Sequence, residues 1–105
     1  MDQPPPLGPL LRDAEGGAFL LERIREREVA ALVRAYDLYS RSVYIVALRG
    51  SGNESLAEDV LHEVFLNLWR YPSHVGYSGG HLIFGLVREA RHLSLMMRPR
   101  PQDGK

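Results

Sequence analysis

Apolar residues recur at helical spacing from Ser55 to Trp69, where the chain reads SLAEDVLHEVFLNLW. Leucine or valine occupies every fourth position, and larger apolar residues broaden the stripe to the width of a core-facing helix. The stripe consists of Leu56, Val60, Leu61, Val64, Phe65, Leu68 and Trp69. Ser55 and Glu58 have the spacing of a capping box, in which each side chain satisfies a free backbone N–H. The pattern therefore predicts an amphipathic helix that begins at Ser55 and buries one face.

The same periodicity predicts helices on either side of this stretch. We expect one from Ala18 to about Tyr39, a second from Ser40 to Arg49, and a last one from about His81 to Met97. The first contains a charged run, ERIRERE, which favours a solvated face stabilised by pairs such as Glu22 with Arg25. Nowhere do β-branched residues alternate over a useful length. The fold class is therefore predicted to be all-α, a small bundle of about four helices.

Proline and glycine mark the boundaries of the predicted domain. Residues 1–17 are rich in both and are expected to be a flexible lead-in, and residues 99–105 a tail or the start of a linker. The helical domain then covers residues 18–98. Gly50 to Asn53 reads as a break, and Pro72 to Gly80 reads as a loop.

The composition is that of one folded domain. Of the 105 residues, 45% are hydrophobic and 25% are charged, with a formal net charge of zero. Balanced charge argues against a protein that coats nucleic acid by bulk electrostatics. Cysteine is absent, which excludes disulfides and thiol catalysis and suits a reducing compartment. No apolar run approaches the ~20 residues of a membrane span, and the N-terminus does not resemble a secretion signal, so a cytoplasmic protein is expected.

Catalytic motifs are scarce. His62 and Glu63 begin like the zinc-protease motif HExxH, but Leu66 stands where the second histidine must be. A mixed metal site from His74, His81 and a carboxylate is the remaining alternative, and the absence of ligand spacing argues against it. The sequence has neither a nucleophile elbow nor a phosphate loop. We expect no enzymatic activity, no cofactor and no metal.

Two consecutive segments resemble a known family of transcription factors. Residues 30–49 read AALVRAYDLYSRSVYIVALR, and residues 57–70 read AEDVLHEVFLNLWR. They are similar to the patterns ALYxxYxxxVYxxALR and AEDxxQExFLxLW of region 2 in bacterial sigma factors, in the extracytoplasmic-function (ECF) group of the sigma-70 family. The resemblance covers roughly residues 18–98 and implies a helical bundle that acts in the bacterial cytoplasm without catalysis of its own.

The resemblance implies a protein partner for the outer face of the Ser55 helix. In the family, this helix docks on the clamp helices of the β′ subunit of core RNA polymerase. Carried over by position, the polymerase-binding residues are Glu58, Asp59, His62, Glu63 and Asn67. His62 stands where the family usually has glutamine. Exposed carboxylates on a rigid helix can steer a basic partner, whereas charge patterning alone would favour a merely solvated face.

The resemblance also implies a DNA contact for the last helix and for the loop before it. In the family, these elements hold the melted −10 strand of the promoter. By position, the DNA-binding residues are Tyr77, Arg88, Arg91, His92 and Arg98. Tyr77 could stack on an unpaired base, and the arginines could meet phosphates. The alternative is a packing helix with ordinary exposed arginines.

The DNA-facing segment departs from the family pattern FDPxRGSFxxWLxxIARNxxxDxxR. Gly85 stands at the tryptophan, His92 at the asparagine and Met96 at the aspartate. Two hypotheses follow: a transcription-initiation module that binds polymerase and −10 DNA, or an interaction module that binds polymerase or an anti-sigma factor without promoter melting. A third alternative is an unrelated small helical domain or an enzyme. A full sigma factor of this group also has a helix-turn-helix domain that reads the −35 element. The chain is therefore expected to be an excised domain or a stand-alone region 2 module.

Overall fold

The computed structural model describes residues 14–76 and 81–98, and every regular element in these ranges is a helix. The helices are α1 (Ala14–Arg25), α2 (Val29–Ser51), α3 (Glu54–Arg70), α4 (Pro72–Gly76) and α5 (Leu82–Met97). Four long helices and one short helix confirm the predicted all-α bundle. The helix α1 begins inside the predicted lead-in, so residues 14–17 are helical rather than flexible, while residues 1–13 and the predicted tail lie outside the described residues.

The core lies where α2, α3 and α5 pack on one another, and α1 packs on α2, α4 and α5. Each long helix of the core contributes small or branched apolar side chains that are fully buried. Among them are Val43, Ala47, Val60, Val64, Leu68, Leu86 and Ala90. The buried stripe of α3 confirms the predicted core face, and Phe65 adds an edge-to-face contact with Tyr36 at 5.0 Å between ring centroids.

The charged run ERIRERE contains a turn, so the prediction of one helix from Ala18 to Tyr39 is wrong. Arg27 has a φ of 67°, a left-handed conformation that ends the helical path after α1. Its guanidinium lies over the Trp69 ring, 4.9 Å from the centroid, and donates to the Trp69 carbonyl oxygen. These contacts tie the turn to the end of α3 and offset the strain of the left-handed residue.

The predicted boundary at Ser40 is also wrong, because α2 runs through it without interruption. The segment from Val29 to Arg49 contains no glycine and no proline, so nothing in the backbone breaks the helix there. The predicted pair of Glu22 and Arg25 is confirmed, with 3.3 Å between Oε1 and Nη1.

Asn53 caps α3, and the prediction that Ser55 begins the helix is wrong. The Asn53 side chain accepts a hydrogen bond from the Leu56 backbone N–H at 2.8 Å. Gly52, just before it, has a φ of 70° and forms the left-handed C-cap of α2. Asn53 then has the extended backbone of an N-cap residue. Ser55 therefore lies inside the first turn, where its hydroxyl is exposed.

The predicted loop after α3 begins as the one-turn helix α4, whose Pro72, Val75 and Gly76 are buried. Proline suits the first helical position because its missing N–H would have no partner there. The backbone of α4 lies directly against Gly85 of α5: a Cβ on Gly85 would be 2.1 Å from the Val75 carbonyl oxygen. Glycine at position 85 is therefore the residue that lets α4 and α5 touch.

A second close approach joins α2 to α5 near their C-terminal ends. A Cβ on Gly50 would lie 2.7 Å from the Cβ of Ser94. Ser94 is fully buried, and its hydroxyl donates to the Ala90 carbonyl oxygen at 2.7 Å. The small side chains at this crossing bring the two helix backbones close together.

The contact at Gly85 predicts that Gly85→Ala destabilises the domain. Alanine favours a helix over glycine by about 1 kcal/mol, but the methyl group would force α4 away at a cost of about 1–3 kcal/mol. We expect a lower urea midpoint in unfolding followed by circular dichroism. Gly16→Ala is the matched control, since Gly16 is exposed on α1 and should be neutral or stabilising. A midpoint for Gly85→Ala at or above that of the native chain would contradict this account.

The cap of α3 gives a second prediction. Asn53→Ala should lower the free energy of unfolding by about 1 kcal/mol, because the Leu56 N–H loses its side-chain acceptor. Ser55→Ala should change it by only a few tenths, within the range of exposed substitutions. Urea unfolding of both variants checks this, and the reverse order of effects would assign the cap to Ser55.

Candidate docking and nucleic-acid surfaces

The acidic edge of α3 comprises Glu58, Asp59, His62 and Glu63, which share the face opposite the core stripe. The first three are exposed and Glu63 is half-buried. Within the described residues, Glu58 and Asp59 form no ion pair, while a Glu63 carboxylate oxygen lies 3.6 Å from Arg70 Nη1. Carboxylates held this way on one rigid helix leave a negative surface open to a partner.

Asn67, also predicted to bind polymerase, faces inward to α5 instead of standing on this edge. Its Nδ2 donates to Glu89 Oε2 at 3.0 Å, and its Oδ1 accepts from Arg70 Nη1 at 3.5 Å. Through Glu89 the Asn67 side chain ties α3 to α5, and its contact with polymerase stays a prediction. Arg70 thereby links Asn67 to Glu63.

An apolar groove lies next to the acidic edge, and sequence reasoning missed it. It measures about 430 Å³ and runs between the first turns of α2 and the middle of α3. Its lining consists of Leu32, Val33, Tyr36, His62, Phe65 and Leu66. Val33 is 53% exposed and Leu66 is 45% exposed, so this apolar surface is not covered by the described part of the domain. The available signal was Leu66, an apolar residue outside the predicted core stripe of its helix.

His62 belongs to both features. It follows Asp59 by three residues and precedes Leu66 by four, so on the helix it has a carboxylate on one side and an apolar side chain on the other. Its imidazole lines the groove and remains exposed. The acidic edge and the groove therefore form one continuous surface.

The basic stripe of α5 is a second surface with the opposite charge. Helical spacing places five exposed residues along one face, two of them apolar and three basic. They are Phe84, Arg88, Arg91, Leu95 and Arg98. Three of them were predicted to bind DNA, and the structure brings them together. His92 is exposed beside this stripe, where it lines a cavity of about 270 Å³ with His74, Arg88 and Glu89.

Arg88 and Arg98 also contact neighbouring elements. An Nη2–H of Arg98 donates to the Gly50 carbonyl oxygen at 2.8 Å, which satisfies a carbonyl at the end of α2. Arg88 donates to the His74 carbonyl oxygen at 3.5 Å. Tyr77, the predicted base-stacking residue, lies outside the described residues. Phe84 is an exposed aromatic that sequence reasoning missed, with its ring centroid 4.9 Å from that of His81.

The described residues hold no cluster of three metal-binding side chains. His81 and His74, the candidates for a mixed site, belong to different surroundings: His81 precedes α5 and contacts Phe84, and His74 lies on α4. Within the same residues, no helix is both long and apolar enough to cross a membrane.

Comparison with curated proteins finds a partial similarity to one named protein. The chain is 42% identical over 48 residues to the ECF RNA polymerase sigma factor SigL of Mycobacterium tuberculosis, represented by three strains. The match covers 45% of this chain and 27% of SigL, so the chain aligns with about a quarter of its curated relative. No family model and no solved structure matches. The similarity supports a general relationship to ECF sigma factors.

Proposed function

We propose that this domain docks on core RNA polymerase through the acidic edge of α3 and the apolar groove beside it. The observation that carries the proposal is their adjacency at His62, which gives one surface both carboxylates and exposed apolar side chains. The partial relative is named an RNA polymerase sigma factor. The resemblance of residues 57–70 to sigma region 2 directs the proposal to the clamp helices of the β′ subunit.

Each half of this surface has a separate physical task. An apolar side chain of the partner that enters the groove would be buried against Leu66 and Val33, at about 25 cal/mol for each Å² removed from water. The carboxylates of Asp59 and Glu63 would form the polar rim that orients a basic partner and speeds its approach. His62, at the join, can donate or accept a hydrogen bond, as glutamine does in the family.

Charge reversal tests the docking proposal. Asp59→Arg and Glu63→Arg should each weaken binding to a purified β′ clamp-helix fragment, and the double variant should abolish its capture, because like charges then face each other. Binding is measured by biolayer interferometry with circular dichroism to check folding. Glu22→Arg is the matched control, because this substitution reverses a carboxylate in the same way on an exposed part of α1, away from the acidic edge.

The groove has its own test in the same assay. Leu66→Ser keeps every charge of the acidic edge and removes apolar surface from the groove, so binding should weaken mainly through faster dissociation. Unchanged affinity in the folded double charge-reversal variant would reject docking on this face. If charge reversal abolishes binding to the β′ fragment but Leu66→Ser does not weaken it, the acidic edge is the docking surface and the groove is not part of it.

A second candidate function, contact with single-stranded −10 DNA, is favoured by the basic stripe of α5. Its arginines can meet phosphates, and Phe84 offers an exposed ring on which a base can stack. The only carboxylate of α5 belongs to Glu89, which is bonded to Asn67. The five residues of the stripe itself carry three positive charges and no negative charge.

The stripe predicts salt-dependent binding to single-stranded DNA of about 12 nucleotides, measured by fluorescence anisotropy. With three arginines on phosphates, the slope of log K against log salt concentration should be about −2. Phe84→Leu should weaken binding without changing that slope, because stacking releases no counterions. If the domain binds no DNA but still binds the β′ clamp fragment, the remaining hypothesis is an interaction module that binds polymerase or an anti-sigma factor.

A further inference from the structure

A cleft between the C-terminal end of α2 and the middle of α5 carries two arginines from different helices. It measures about 270 Å³ and is lined by Val46, Arg49, Gly50 and Arg91. Arg91 belongs to the basic stripe, whereas Arg49 lies on α2 and is not among the predicted DNA-binding residues. The close contact of Gly50 with Ser94 holds the two helices at the distance that puts both arginines on one cleft.

Both guanidiniums are available to a ligand. Arg49 and Arg91 are exposed, and within the described residues neither forms an ion pair. Residues 38–53 and 90–98, the chain segments that contain the two arginines, include no aspartate or glutamate. Arg98 brings a third guanidinium to the same place, because it donates to the Gly50 carbonyl oxygen.

We infer that Arg49 and Arg91 form a clamp for one phosphodiester group of a single-stranded nucleic acid. Guanidinium groups bind phosphate oxygens through paired, charge-assisted hydrogen bonds, and two of them on opposite walls match the tetrahedral arrangement of those oxygens. The inference rests on the proposed contact of α5 with DNA and extends it to α2.

The surroundings of the cleft favour a polymer over a small anion. The basic stripe continues beyond the cleft to Arg88 and ends at the exposed ring of Phe84. From Phe84 to Arg98 the stripe runs about 21 Å along the helix axis, at 1.5 Å per residue. A backbone clamped between Arg49 and Arg91 can therefore follow the arginines toward an aromatic ring, as in proteins that bind single strands.

Neutralising single arginines tests the clamp, with the full chain and the same labelled single-stranded DNA across a salt series. Arg49→Gln and Arg91→Gln should each weaken binding, and the double variant should reduce the steepness of the salt dependence by about 0.7, the value for the one phosphate contact that the two arginines share. Arg34→Gln is the matched control, because Arg34 is exposed on the same helix about 22 Å from Arg49 along the axis. It should leave the slope unchanged.

The outcomes separate this inference from the proposed function. If Arg91→Gln weakens binding while Arg49→Gln binds as tightly as Arg34→Gln, the clamp is wrong and the DNA contact of α5 stands. If the native chain binds no DNA while it still binds the β′ clamp fragment, both the DNA contact and the clamp are wrong and docking stands. A third outcome would show that the cleft binds a small anion instead. Inorganic pyrophosphate would then raise the melting temperature of the native chain but not of Arg49→Gln, and both proteins would bind DNA with the same affinity and salt dependence.

Discussion

Two backbone contacts of α5 set the geometry of the surfaces on this domain. At one, the carbonyl oxygen of Val75 occupies the place of a side chain on Gly85, and at the other Ser94 packs against Gly50. They lie nine residues apart on α5, or about 13 Å along its axis, so they fix both the position and the rotation of the helix. Between these two contacts α5 buries Leu86 and Ala90 on its core side, and Arg88 and Arg91 lie on its exposed side. A bulkier residue at either glycine would separate the helices and move the stripe.

The zero net charge of the chain conceals a separation of charge between two helices. The helix α3 carries four carboxylates, those of Glu54, Glu58, Asp59 and Glu63, against the single arginine Arg70. The exposed face of α5 is basic, and the carboxylate of Glu89 is bonded to Asn67 on the side where α3 and α5 meet. Salt screens exposed charges beyond about 8–10 Å, so a partner senses the local patch rather than the sum. Composition alone therefore excludes bulk coating of nucleic acid but not a local contact.

The core could be predicted from the sequence because burial follows helical periodicity, and the fully buried Val60, Val64 and Leu68 show this directly. The ends of the helices were less predictable. Asn53 and Ser55 are both good capping residues, and the choice between them depends on the left-handed Gly52 that precedes α3. The turn at Arg27 has no glycine or proline to announce it, and one of its contacts is with Trp69, 42 residues away along the chain.

The candidate surfaces divide in the same way. Spacing on one helix was enough to place Asp59 beside His62 and Arg88 beside Arg91. The groove and the arginine cleft each need two helices, and a sequence gives the faces of a helix but not its rotation against a neighbour. Asn67 shows the same limit, because its bond to Glu89 depends on the packing of α3 against α5.

Gly85 links the packing of this chain to its departure from the sigma pattern. By position the family has tryptophan here. From the sequence alone, glycine at this position means that an aromatic ring is missing and that the helix is less stable by about 1 kcal/mol than with alanine. In this fold the backbone of α4 fills that space, so a large ring at position 85 and the observed α4 exclude each other. In α5 the aromatic ring belongs instead to Phe84, one position earlier. Successive residues of a helix point about 100° apart, so Phe84 lies on the exposed side of α5 while Gly85 lies on the packed side. Any base stacking by α5 must therefore use a ring on the arginine stripe itself rather than one at the junction with α4.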